Sequence, residues 1–75
     1  MMDHCAALAA LAMYVANLRD HSYDQRFVAE VVGVSFAQES VPPEFPALVA
    51  WVFAEPEMPP ETAASITLVS CQAHG

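Results

Sequence analysis

Apolar residues gather in four stretches along the 75-residue chain, parted by polar or proline-bearing breaks. In the first, Leu8, Leu11, Tyr14, Val15 and Leu18 recur at the spacing of one helical face, because a period of about 3.6 residues returns side chains to the same side. Cys5, Ala9, Ala12 and Ala16 form a second stripe of small side chains, onto which another helix backbone can close. Alanine, the strongest helix former, fills six of the twelve positions from Cys5 to Ala16. Asp3 stands where an N-cap belongs. The pattern predicts a helix over 4–19.

Ser22 and Gln25 then show the S-x-x-Q spacing of a capping box, in which Ser binds a first-turn N–H and Gln reaches back. A second helix is expected over 22–37, with Tyr23, Phe27, Val31 and Val34 on one side. The β-branched residues around Gly33 also suit a strand. Within this stretch Val28, Ala29, Val32, Gly33 and Val34 resemble the front half of a helix-turn-helix over about a dozen residues. Such a motif contacts DNA through its second helix. Here that place is taken by "QESVPPEFP", with two acids, three prolines and no Arg or Lys, so the resemblance does not extend to DNA binding.

The last two stretches open alike, on Pro42-Pro43-Glu44 and Pro59-Pro60-Glu61, seventeen residues apart. Proline suits the first turn of a helix, where its missing N–H has no partner to lose, and glutamate there favours the positive dipole end. Helices are therefore expected over 46–54 and 60–72, with Val49, Trp51 and Val52 aligned to Ile66, Leu68 and Val69. The competing reading takes "LVAWVFA" and "SITLVSC" as strands led in by proline turns. The expected fold is a single domain, 1–75, mainly α, a small bundle of about four short helices. The alternative is α+β, with short strands after Gly33.

Composition adds a constraint. The chain is 56% hydrophobic and 15% charged, where average domains carry about 25% charged residues. A domain this small buries only about 60% of its unfolded surface, so part of the apolar excess lies outside and marks contact surface. Charge is one-sided: nine acids face Arg19 and Arg26, with no lysine. Such a surface repels phosphate backbones and draws basic partners. Direct nucleic-acid binding is not expected. Nor is a membrane segment, since the twelve-residue apolar run from Cys5 falls short of the roughly 20 residues a span needs.

Candidate chemistry is thin. Asp20, His21, Ser22 and Asp24 hold triad-type groups, but adjacency on a turn is no support for triad geometry, and an interhelical turn with charges in solvent accounts for them. His4, Cys5, Cys71 and His74 amount to a zinc ligand set, yet neighbouring His4 and Cys5 point to different helix faces. No metal, cofactor or catalytic residue is expected, and the chain is read as non-enzymatic. Cys5 and Cys71 could pair, but without an export signal reduced thiols are the expectation, in a cytoplasmic protein.

The expected function is protein–protein interaction: an inhibitor or adaptor covering the basic, nucleic-acid-binding surface of a partner protein. Its contact residues are expected to be Trp51 and Phe53, rimmed by Glu39, Glu44, Glu55, Glu57 and Glu61. The alternative is a homo-oligomer, a structural subunit self-associating through Leu8, Leu11, Trp51 and Phe53.

Overall fold

The structure, a computed structural model, describes residues 4–35 and 44–74. Among these residues there are four helices and no strand: α1 (His4–Asp20), α2 (Gln25–Ser35), α3 (Phe45–Ala54) and α4 (Pro60–His74). The mainly α fold expected from the spacing is the one observed. Asp3, Glu39, Pro42 and Pro43 lie outside the described residues. No described helix is long and apolar enough to cross a membrane.

The two stripes of α1 explain its place. Leu11 and Val15 on one, Ala12 and Ala16 on the other, are all buried, and α1 packs against each of the other three helices, most extensively against α4. Cys5 meets Cys71 at one end of that pair, and Arg19 reaches the Met58 carbonyl at the other. The helices are thus antiparallel, and the Cys5–Cys71 pair sets Ala12 about level with Ala64. Ala12 and Ala63 are both fully buried, as expected where small residues let backbones approach. Leu8 and Leu11, anticipated from the sequence as part of a self-association surface, are buried in the monomer.

The α1–α2 turn corrects the expected capping box. Tyr23 N donates to Leu18 O and Ser22 N to Arg19 O, at 3.2 and 3.0 Å, the paired bonds of a Schellman motif. Ser22 is its left-handed residue, with φ 71°. It therefore ends α1 instead of starting α2. The N-cap of α2 is Asp24, whose Oδ1 accepts the Phe27 N–H at 3.0 Å.

That shift also turns α2. Val28 is fully buried, whereas Tyr23 and Phe27 are 44% and 43% exposed. They stack on each other at the surface, ring centroids 5.2 Å apart and planes within 10°. α2 runs through Gly33 without a break, so neither the strand alternative nor a helix-turn-helix corner occurs there.

Both Pro-Pro-Glu signals precede or open a helix, in different frames. Glu44 is the N-cap position of α3 and the proline of its first turn is Pro46. Pro60 is itself the first residue of α4, with Glu61 in the first turn. The echo does not extend to packing: Val52 is 0% exposed and its counterpart Val69 65%. The repeat is a shared start signal on two helices that bury different faces.

Candidate functional site

α3 and α4 both lie on α1 but touch each other only sparsely. Between them is an open groove of about 610 Å³, within the size range of ligand sites. Leu8 of α1, Leu48 and Trp51 of α3, and Ile66 and Thr67 of α4 give it an apolar lining. Leu8 and Leu48 are buried, Trp51 is half-buried and Ile66 is 43% exposed, so the groove presents apolar surface that the monomer leaves open.

Its polar end is built by His4, Glu44, Ser70 and Cys71. The Glu44 side chain makes no cap bond to its own helix. Instead Glu44 Oε2 accepts a hydrogen bond from His4 Nε2 at 2.9 Å, with both side chains about half exposed. That bond, together with a backbone hydrogen bond, holds the Glu44 carboxyl below its ordinary value, against a smaller opposing effect of burial. Charge–charge attraction to His4 adds to the lowering. The carboxylate at the groove mouth is therefore ionised at neutral pH.

Cys5 and Cys71 form a disulfide, with Cα atoms 5.5 Å apart. This corrects the expectation of reduced thiols. The reason lies in the helix pairing: a register that aligns the small-residue stripe of α1 with α4 brings the two cysteines level. The same bond removes both sulfurs from the imagined zinc set, and no group of metal-binding side chains gathers among the described residues.

Of the contact residues read from the sequence, Glu44 and Trp51 come together on the groove. Phe53 does not join them; it is partly buried against the core. Glu55 and Glu57, in the α3–α4 connection, and Glu61 are exposed at the other end of α3, about 15 Å from Glu44 for a ten-residue helix. The acids thus form two separate places. Glu39 lies outside the described residues.

Sequence reading missed Arg19. Its side chain is 7% exposed, not a charge in solvent. Nη1 donates to Val52 O and Glu55 O, both at 2.9 Å, and Nη2 to Met58 O. Nε and Nη2 also grip Asp20 Oδ1 at 3.0 and 2.8 Å. Arginine's planar fork can serve several acceptors at once, and here it satisfies carbonyls at the end of α3, where the dipole is negative. The other turn groups are likewise engaged locally, His21 Nδ1 with Asn17 O at 2.7 Å and Asp24 as a cap. The only available signal was the position of Arg19 in the last turn of α1.

Thr67 carries a further polar feature. It is nine-tenths buried, and its hydroxyl oxygen has no hydrogen-bond partner. The chain matches no protein-family model, no curated protein and no solved structure.

Proposed function

We propose that the protein is a non-enzymatic binding module, an inhibitor or adaptor whose acidic surface covers a basic surface of a partner protein. One observation carries this reading. The sequence holds nine acids and two arginines, and folding turns the guanidinium of Arg19 inward onto backbone carbonyls. Arg26 is then the one exposed arginine, against exposed Glu44, Glu55, Glu57 and Glu61. Such a field speeds encounter with basic surfaces and disfavours acidic ones. The compartment depends on the Cys5–Cys71 bond: a reducing cytoplasm, the setting expected from the sequence, opens such bonds, and an oxidising one keeps them.

The test is titration with an oligo-arginine peptide at low and high salt, followed by amide NMR. The reading requires salt-sensitive binding that perturbs the acidic positions and is lost on reversing Glu55, Glu57 and Glu61 together to lysine. Binding indifferent to that reversal and to salt rejects it.

A second reading, self-association as a structural subunit, is favoured by the stacked and exposed Tyr23–Phe27 pair. Light scattering separates the two. A salt-resistant dimer supports self-association, and a monomer at both salt concentrations supports the binding module.

A further inference from the structure

We infer that the groove between α3 and α4 seats one amphipathic, basic helix of a partner protein, with its apolar side chains in the trough and a lysine or arginine against Glu44. The inference rests on the basic-partner reading and gives that partner a shape and a place.

The shape argument comes from helix packing. Two helices that both rest on α1 and barely touch each other leave the position that a further helix of a bundle would occupy, since bundle cores are closed by helices on facing sides. Along α3 the groove wall runs from Glu44 to Trp51, about 10 Å at 1.5 Å per residue. That length matches two turns of a partner helix. Helix-in-groove recognition presents its anchors at i, i+3 or i+4, and i+7 over such a span.

The chemistry argument comes from the lining. Leu8, Leu48, Trp51 and Ile66 offer apolar contact, and the half-open positions of Trp51 and Ile66 leave area for an incoming side chain to cover. Among the described residues lining the groove, the titratable side chains are His4 and Glu44, joined to each other by a hydrogen bond. A cation arriving at Glu44 meets a carboxylate in a chain whose net charge is −7. A second copy of this chain brings the same excess of acid and is repelled. So are nucleic acid and an anionic membrane. Charge therefore selects a basic occupant, and the apolar trough selects one with an apolar face.

The experiment uses the oxidised full chain and two helical peptides. Both carry leucine at i, i+3, i+4 and i+7; one has lysine at the remaining positions, its twin has glutamate. Trp51, the sole tryptophan, reports through its emission, and light scattering gives the stoichiometry. The lysine peptide is expected to bind one to one with a blue shift of Trp51, at least tenfold more tightly than its twin. Ile66→Arg, at an exposed position, is expected to weaken it at least tenfold with an unchanged melting curve, and Glu44→Gln several-fold.

Equal binding to wild type and Ile66→Arg overturns the inference. If that binding maps to Glu55, Glu57 and Glu61, the basic-partner reading survives without the groove. Failure of the lysine peptide to bind, while oligo-arginine still binds, has the same meaning. A dimer dissolved by Ile66→Arg overturns the inference too, by showing a second copy in the groove. So do contacts between the Trp51 ring and residues 36–43 of the free chain, which would mean that the chain fills its own groove.

Discussion

Arg19 and Val52, 33 residues apart in the chain, are joined by a hydrogen bond from Nη1 to the Val52 carbonyl at 2.9 Å. The same nitrogen serves Glu55 O, so one side chain of α1 closes the end of α3 and anchors the connection to α4. Hydrogen bonds to charged groups contribute about 1.5–3 kcal/mol each, but Val52 O and Glu55 O each keep a backbone N–H, from Glu55 and Met58, when the guanidinium is removed. Arg19→Ala is expected to destabilise the fold by about 2–4 kcal/mol, and Arg19→Lys by less, since lysine supplies charge without the fork. Urea unfolding with an unchanged slope would measure this. A loss of under half a kcal/mol, the range of about ±0.5 kcal/mol seen for ordinary surface changes, would refute the assignment.

The α1–α2 turn assigns opposite roles to Ser22 and Asp24. A non-glycine residue in the left-handed region costs about 1 kcal/mol, so Ser22→Gly is expected to raise stability by up to that amount. Asp24→Ala removes the cap that receives Phe27 N–H and is expected to lower it by about 1 kcal/mol. Were Ser22 the cap of α2 after all, the glycine variant would bring no gain.

The disulfide spans 66 residues of sequence. In the chain-entropy model a loop of that length gives about 4 kcal/mol, as much as a core this small supplies. Cys5→Ser with Cys71→Ser is expected to lose most of the thermal transition at physiological temperature. Mass spectrometry after thiol alkylation checks the premise: two labelled cysteines in the native, unreduced protein would contradict it.

Thr67 buries a hydroxyl with no partner. Val keeps the shape and removes the unsatisfied oxygen, whose burial costs about 1–3 kcal/mol. Thr67→Val is therefore expected to leave stability unchanged or raise it by about 1 kcal/mol. A clear loss would mean that the hydroxyl is bonded in solution.

Glu44 ties pH to the groove. Its folded pKa lies below the ordinary 4.5, so its ionisation favours the folded state above that value. The contribution is fully present at neutral pH and disappears as pH falls through the depressed pKa. Carboxyl NMR titration should give a midpoint below 4.5, moving up toward the ordinary value in His4→Ala. An equal midpoint in both proteins would show that His4 does not act on it.

The helix starts and the apolar faces of α1 were legible because they depend on local chemistry: alanine content, 3.6-residue spacing, proline and acid at first turns. α2 was harder. Phe27 and Val28 each begin a plausible apolar face, and a chain with more apolar residues than interior does not declare which one packs; the Schellman turn at Ser22 decided for Val28. The site divided along the same line. Glu44 and Trp51 were within reach because an acid at a helix start and a tryptophan on an apolar helix carry local signals. Phe53 lies off the groove, a matter of which way the helix turns, and the bonds of Arg19 and Cys5 join residues far apart in sequence, where no local pattern speaks.

α1 and α4, the helices with the largest mutual contact, sit at opposite ends of the described chain. Helical bundles fold fast when their contacts are local, but this one must first bring distant segments together, against the entropy of closing a long loop. With Cys5 and Cys71 joined, that search is already over in the unfolded chain. Oxidation thus spares the chain the slowest of its encounters, the one between its first helix and its last.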